Sequence, residues 1–158
     1  MTKEQFTTKI LALEKSMYHT AISMLQNDDD CADAMQNAVM TAYKNLPGLR
    51  KPEFFNTWLT RILINECYKL IRSRKNTVEY EERFEPSTDT DGDALESFEL
   101  FSEIMQLSEN YRVPIVLHYI EGYSVKETAA MLDTTQAAVK QRLLRARKIL
   151  KERFGERL

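Results

Sequence analysis

The apolar residues of this chain recur at steps of three and four, which is the spacing of one face of an α-helix. Near the start of the chain this series consists of Phe6, Ile10, Leu13, Met17, Ala21 and Leu25. Only four glycines and four prolines occur in 158 residues, too few for the frequent turns of a β-sandwich or β-barrel. The sequence therefore predicts an all-α fold.

Charge is distributed along the chain in three blocks. Residues 1–75 carry a net charge of +3, residues 76–108 of −9 and residues 109–158 of +4, which together give the net −2 of the whole chain. An acidic segment between two mildly basic ones is typical of two modules joined by a tether.

The centre of the acidic block, Glu85–Asp93, contains no apolar residue. Such a stretch cannot bury enough surface to offset the entropy lost when it is ordered. We therefore expect two small helical domains, residues 1–75 and 95–158, joined by a flexible acidic linker at residues 76–94.

In the first domain, the polar run Asn27–Asp30 interrupts the apolar series and offers N-caps for a second helix. This helix is expected to stop at Pro47 and Gly48. Its predicted inner face consists of Cys31, Met35, Ala38, Ala42 and Leu46. A third helix is expected to begin near Pro52, which suits a first turn, and to end near Lys75.

In the second domain, helices are expected over Leu95–Leu107 and Glu109–Ile120. Pro114 fits the first turn of the second of these helices better than its interior, and Gly122 is placed as a C-cap.

The strongest pattern lies after Gly122. Ser124 and Glu127 have the spacing of a capping box at the start of a short helix that ends near Leu132. A three-residue turn follows, and Thr135 then caps a long helix that reaches about Phe154. Together they predict a helix-turn-helix in the second domain.

The last helix is strongly basic on its outer side. Seven basic residues and one acidic residue lie between Gln136 and Arg153, a local field that favours a polyanion partner. Glutamine and arginine can bond base edges in the major groove, while lysine suits phosphates. The alternative is an ordinary solvated basic face.

No residues with the spacing of a catalytic or metal site occur. H-E-x-x-H, C-x-x-C and phosphate-loop motifs are absent, so we expect no enzyme activity, no cofactor and no metal. The cysteines, Cys31 and Cys67, are expected to be reduced core residues. The N-terminus lacks a signal-peptide pattern and no apolar run is long enough to span a membrane, so we expect a cytoplasmic protein without stable membrane insertion.

Three separated blocks of the second domain resemble region 4 of the extracytoplasmic-function (ECF) sigma factors of the sigma-70 family. The blocks are Leu107–Arg112 (LSENYR), Tyr119–Ser124 (YIEGYS) and Val139–Lys148 (VKQRLLRARK). In the first domain, Asp33–Met40 (DAMQNAVM) and Thr57–Ile62 (TWLTRI) are similar to region 2 of the same family.

This resemblance implies a factor that binds core RNA polymerase, directs it to promoter DNA and helps to open the duplex. Minus-35 recognition is implied for Thr135, Gln136, Lys140, Gln141, Arg142, Leu144, Arg145 and Lys148. Among these, Arg142 and Lys148 are mainly phosphate candidates, as is the neighbouring Arg147.

Two further sets of residues follow from the resemblance to region 2. Minus-10 binding is implied for Leu49, Arg50, Lys51, Asn56, Arg61, Asn65, Lys69 and Arg72. Docking onto the clamp of the largest polymerase subunit is implied for Asp33, Gln36, Asn37, Met40 and Lys44. Trp58 is either a core residue, which its apolar spacing favours, or a base-stacking residue, and one of Phe54 and Phe55 faces the DNA.

The family also implies an anti-sigma factor as a partner. Two other functions stay open on the residues alone. An autonomous DNA-binding regulator would bind duplex DNA tightly without polymerase, and a protein-interaction module would use its basic helix without any DNA. A change at Arg145 with no effect on promoter choice would favour the second of these.

Overall fold

The computed structural model describes residues 1–74 and 94–154, and in those two ranges it contains helices and connecting turns but no strand. The chain divides into two compact units, Met1–Glu82 and Arg83–Leu158. The predicted all-α class with two helical domains is confirmed. None of the helices in the described ranges is long and apolar enough to cross a membrane.

Residues 1–74 of the first unit form four α-helices and two single turns of 3-10 helix. The α-helices are α1 (Lys3–Ala12), α2 (Glu14–Leu25), α3 (Asp28–Lys44) and α4 (Phe55–Arg74). The 3-10 turns, Leu46–Gly48 and Pro52–Phe54, each carry a proline in their first two positions. Proline suits such positions because its φ is preset and its missing N–H is not needed there.

The first apolar series belongs to two helices and not to one. At Leu13, which has φ −101° and ψ 3°, the N–H is shared between the carbonyls of Lys9 and Ile10, both at 3.1 Å. A bond shared in this way tightens the turn toward 3-10 geometry. The series therefore bends at Leu13, and Ile10 and Leu13 are only half-buried.

A side-chain cap begins α3 at the predicted polar residue. The Asn27 side chain accepts a hydrogen bond of 2.9 Å from the Asp30 N–H, and three aspartates in the first turn of α3 complement the helix dipole. Before it, Gln26 adopts φ 52° and ends α2 with the left-handed residue that is common at helix C-termini.

The core of the first unit lies between α2, α3 and α4. The inner face of α3 is made of small residues, Cys31, Ala34, Ala38 and Ala42, which allow a close approach of α4. Met35 and Leu46, which the sequence predicted in this core, are only half-buried. The buried positions follow Cys31 at steps of three, four and four, and this register leaves Met35 at the edge of the face.

The C-terminal end of α4 is tied back to the other helices by Arg74. Its guanidinium pairs with the carboxylate of Asp30 and lies 3.3 Å from the Leu25 carbonyl oxygen. The basic last turn therefore stabilises the junction of α2 and α3 in addition to the dipole of its own helix.

Both cysteines of the first unit are buried and free. Their exposed fractions are 1% for Cys31 and 0% for Cys67. Burial raises the pKa of Cys31 to about 12 and raises the pKa of Cys67 well above its ordinary value of 9.0. Since the thiolate is the reactive form, neither side chain is a ready nucleophile.

We expect both thiols to react with a disulfide reagent at pH 8 much more slowly in the native protein than in denaturant. Both thiol pKa values are higher in the folded state than in the unfolded chain. The contribution of these two thiols to the free energy of unfolding is therefore fully present below pH 9 and is lost as the pH rises above it. Timed labelling and denaturant melts between pH 7 and 10 measure the two effects. Labelling of the native protein as fast as the unfolded chain would contradict the burial of these thiols.

In the described residues of the second unit, the first helix is α5 (Ala94–Gln106), which begins one residue inside the predicted linker. The rest of the predicted linker, residues 76–93, lies outside the described residues. The remaining helices are α6 (Glu109–Ile115), α7 (Val125–Met131) and α8 (Gln136–Phe154).

A π-helical turn, Val116–Ile120, continues α6, where the sequence predicted one uninterrupted helix. In this turn the Glu121 N–H bonds to the Val116 carbonyl, five residues back, at 2.9 Å. The prediction that Pro114 lies in a first turn is wrong, because it sits inside the helix. Pro114 has no N–H for the carbonyl four residues before it, and the wider turn follows directly.

Arg112 closes the corner between α5 and α6. Its side chain is buried, and Nη1 donates a 2.7 Å hydrogen bond to the Leu107 carbonyl at the end of α5. Burial lowers the pKa of this guanidinium. Gly122, with φ +80°, then ends the π-helical turn in a conformation that favours glycine.

Candidate nucleic-acid interface

The helix-turn-helix of the second unit is built by local capping bonds. The Ser124 hydroxyl accepts a bond from the Glu127 N–H, and the Glu127 side chain accepts one from the Ser124 N–H, both at 3.0 Å. This is the predicted capping box. After α7, Asp133 takes φ 54°, and the Thr135 hydroxyl accepts a 3.1 Å bond from the Ala138 N–H. The turn and the start of α8 are therefore fixed by the predicted residues.

The inner face of α8 packs against α6 and α7. All four residues predicted on this face are buried, namely Val139, Leu143, Ala146 and Leu150. Because one side of α8 is fixed by this packing, its outer side is presented to solvent in a defined orientation.

The outer side of α8 carries the residues predicted to bind minus-35 DNA. The exposed ones are Thr135, Gln136, Lys140, Gln141, Leu144, Arg145 and Lys148, and Arg142 is half-buried at the edge. Leu144 is 61% exposed, although exposing an apolar side chain to water does not stabilise the folded protein. An apolar side chain among amides and guanidiniums matches a major groove, where thymine methyl groups adjoin polar base edges.

One basic residue of α8 is already paired. Arg153 lies 3.5 Å from the Glu103 carboxylate on α5, and both side chains are partly exposed. An exposed pair of this kind adds little stability, but it partly neutralises the far end of the basic face. Five of the seven basic residues of α8 lie between Lys140 and Lys148, away from this pair.

In the first unit, the predicted minus-10 loop is open to solvent. Arg50 and Lys51 are exposed and Leu49 is half-buried. Of the two neighbouring phenylalanines, Phe54 is 54% exposed and Phe55 is 0% exposed. Phe54 is therefore the one that can face DNA, and the Lys51 Nζ lies 5.9 Å from its ring centroid.

Trp58 is partly buried, which agrees with neither of the two roles, core residue or base-stacking residue, alone. Its ring lies 5.8 Å from that of Phe55, so one part of it belongs to the core. The side chain is nevertheless only half-buried, so part of it is accessible to solvent.

The predicted minus-10 residues of α4 are all exposed, namely Asn56, Arg61, Asn65, Lys69 and Arg72. The last four follow each other at steps of four, four and three and share one face. Asn56 does not, since five residues place it about 140° from Arg61 around the helix. Lys69 is paired on its own helix with Glu66 at 3.1 Å, which leaves Arg61 and Arg72 as the stronger phosphate candidates on this face.

The predicted polymerase-binding residues lie together on the outer face of α3. All five are exposed, namely Asp33, Gln36, Asn37, Met40 and Lys44. Met40 is 63% exposed, and Tyr43, which the sequence prediction did not include, is 50% exposed. The ring of Tyr43 also packs edge-on against Phe6, with centroids 5.4 Å apart. The sequence could have indicated Tyr43, because a step of three residues places it on the same side of the helix as Met40.

Family models match both units of the chain. The model described as Sigma-70 region 2 matches residues 10–77, and the model described as Sigma-70, region 4, matches residues 97–150.

Several sigma factors are similar to this chain over most of its length. RNA polymerase sigma factor SigV of Bacillus subtilis is 26% identical over 95% of this chain and 91% of SigV. ECF RNA polymerase sigma factor SigM of Mycobacterium tuberculosis is 27% identical over 89% of this chain and 72% of SigM. ECF RNA polymerase sigma-E factor of Escherichia coli is 30% identical over 77% of this chain and 72% of that protein.

Two solved structures share the fold. One is the sigma factor RpoE in complex with the anti-sigma factor NepR from Bartonella quintana, with a TM-score of 0.80, 23% identity and coverage of 98% of this chain and 99% of that one. The other is CnrH in complex with the cytosolic domain of CnrY, with a TM-score of 0.69, 24% identity and coverage of 99% and 92%. At these identities the likeness shows the fold alone.

Proposed function

The chain belongs to the extracytoplasmic-function sigma factors of the sigma-70 family, and from this we propose how its two units share the recognition of a promoter. As a sigma factor, it binds core RNA polymerase and directs it to specific promoters for the initiation of transcription. The proposal assigns the minus-35 element to the second unit, and the minus-10 element and the polymerase clamp to the first.

The observation that carries this proposal is the outer face of α8. Its inner side is fully packed, its outer side is basic, and Leu144 is exposed among Gln141, Arg145 and Lys148. This combination suits a recognition helix that lies in a major groove. Gln136, Lys140, Gln141, Leu144 and Arg145 contact base edges in this proposal, while Arg142, Arg147 and Lys148 hold phosphates.

In the first unit, Leu49–Lys51 and the exposed face of α4 bind the minus-10 element. Asn65 reads an unpaired base, because its amide can both donate and accept hydrogen bonds. Arg50, Lys51, Arg61 and Arg72 hold phosphates, and Phe54 stacks on a base that melting exposes.

The outer face of α3 docks on the clamp of the largest polymerase subunit. Met40 is the apolar anchor there, and Asp33, Gln36, Asn37 and Lys44 form the polar rim.

The domain boundaries belong to the same proposal. Residues 1–75 and 95–158 act as modules, and the acidic segment 76–94 serves as the tether between them. A tether of suitable length lets the second contact form at high effective concentration once the first has formed.

The protein acts in the cytoplasm with RNA polymerase and has no catalytic role of its own. We also propose an anti-sigma factor as a partner, because the RpoE structure of similar fold is a complex with one.

Arg145→Ala is expected to weaken binding at one position of the minus-35 element by about 1–3 kcal/mol and to leave other positions unchanged. Lys148→Ala is the matched comparison, because a lost phosphate contact weakens binding to all sequences alike. Holoenzyme binding to a panel of single-base promoter variants measures both. Equal loss on every sequence for Arg145→Ala would rule out base reading by this residue.

Selection from a randomised DNA pool tests the proposal as a whole. Holoenzyme made from core RNA polymerase and this chain is expected to enrich two short elements at a fixed spacing, and the free chain is expected to enrich neither. Equal enrichment by the free chain would favour an autonomous regulator. No enrichment by either would favour a protein-interaction module.

A further inference from the structure

The exposed ring of Tyr119 lies against a cation of the recognition helix. Tyr119 is on the π-helical turn after α6 and is 50% exposed. The Arg147 guanidinium of α8 lies 5.8 Å from its ring centroid. We propose that Tyr119 is a positioning residue that holds Arg147 ready for a phosphate of the minus-35 element. This inference rests on the proposed function of α8.

The ring of Tyr119 is itself held in place by its neighbour. The His118 ring lies 4.8 Å from it in an edge-on arrangement of 73°. The His118 Nδ1 is 2.7 Å from the Tyr123 carbonyl oxygen, and since a carbonyl only accepts, Nδ1 is the nitrogen that carries the proton. Tyr123 in turn donates its N–H to the Leu117 carbonyl at 3.0 Å. The Tyr119 ring that contacts Arg147 is therefore held in place through His118 by hydrogen bonds to the backbone.

The position of Arg147 on α8 suits a phosphate contact. It directly follows the buried Ala146, so it lies at the border between the packed and exposed sides. Lys151, four residues later, lies along the same border and is exposed. Cations along the edge of a recognition helix lie where the DNA backbone passes when the helix lies in the major groove.

An aromatic partner suits this task better than a carboxylate. A ring face attracts the guanidinium without neutralising it, so the full charge stays available for a phosphate. Arg153 shows the contrast, because its charge is paired with that of Glu103. Holding Arg147 before DNA arrives also reduces the side-chain entropy that binding must otherwise remove.

The test measures holoenzyme binding to a minus-35 promoter fragment over a range of salt concentrations. Tyr119→Leu is expected to weaken binding about two- to fivefold and to lower the salt slope toward that of Arg147→Ala, by up to about 0.9. Tyr119→Phe keeps the ring face and is expected to stay within about twofold of the parent protein. In the Arg147→Ala background, Tyr119→Leu is expected to have no further effect.

An unchanged salt slope in Tyr119→Leu, or the same loss with and without Arg147, would overturn the inference. A loss in Tyr119→Phe equal to that in Tyr119→Leu would also overturn it, because the ring face would then be irrelevant. The proposed function fails separately, if the parent holoenzyme binds the fragment no better than a scrambled one.

Discussion

Replacing Met40 by aspartate is expected to weaken the binding of this sigma factor to core RNA polymerase by at least about 30-fold. Met40 is 63% exposed on the outer face of α3, so the folded protein tolerates a polar side chain there. In the proposed complex with core polymerase, the same position becomes the apolar centre of the interface. A carboxylate would then be desolvated without a partner, which is costly.

Leu11→Asp is the matched control for Met40→Asp. Leu11 is an equally exposed apolar residue, at 66%, but it lies on α1 and outside the proposed interface. Competition against a labelled sigma factor for core polymerase measures both variants, and thermal melts check that both remain folded. Equal weakening in the two variants would contradict the assignment of this face of α3.

The two adjacent phenylalanines at the start of α4 are expected to respond in opposite ways. Phe55→Ala is expected to lower the free energy of unfolding of the first unit by about 3–5 kcal/mol. Phe55 is fully buried, and its ring contacts Phe6 edge-on, with centroids 5.9 Å apart. Since domains of this size have small net stabilities, such a loss leaves much of the first unit unfolded.

Phe54→Ala is expected to change the free energy of unfolding by less than about 0.5 kcal/mol. Its ring is half-exposed, so its loss is expected to appear in promoter opening, where one stacked base is worth about 1–3 kcal/mol. Urea melts measure the stability, and permanganate reactivity of unpaired thymines measures the opening. A normal open complex from Phe54→Ala would contradict base stacking by this residue.

Most helix ends could be predicted because their signals are local. Asn27, Ser124 with Glu127, and Thr135 each cap a backbone N–H within three residues, so the sequence contains both partners. The inner face of α8 was predicted for the same reason, since a single helical period defines it. The exposure of the candidate site residues then follows, because what is not on the packed side faces solvent.

The missed features depend on partners that are distant in the chain or on small backbone changes. The apolar residues continue at helical spacing through the bend at Leu13 and the wide turn after Pro114. The hydrophobic periodicity of the sequence therefore does not detect either feature. The choice of Ala34 over Met35 for the core is made by the approach of α4. Tyr119 and Arg147 are 28 positions apart in the sequence, and only the packing of α6 against α8 brings them together.

The net charge of −2 conceals the property that matters for function. Averaged over the chain it predicts no affinity for nucleic acid, yet the segment that follows residue 108 is net +4. Packing then concentrates this charge on one side of α8, because the other side is apolar and buried. Long-range attraction to DNA depends on such a local field and not on the total.

Run-off transcription with purified core RNA polymerase tests whether this chain directs the polymerase to a promoter with both elements. Four templates are compared, one with both selected promoter elements, two with either element scrambled, and one with neither. We expect a defined transcript from the intact promoter only when this protein is added, and a strong reduction when either element is scrambled. A transcript that does not depend on the added protein, or none from any selected promoter, would contradict this expectation.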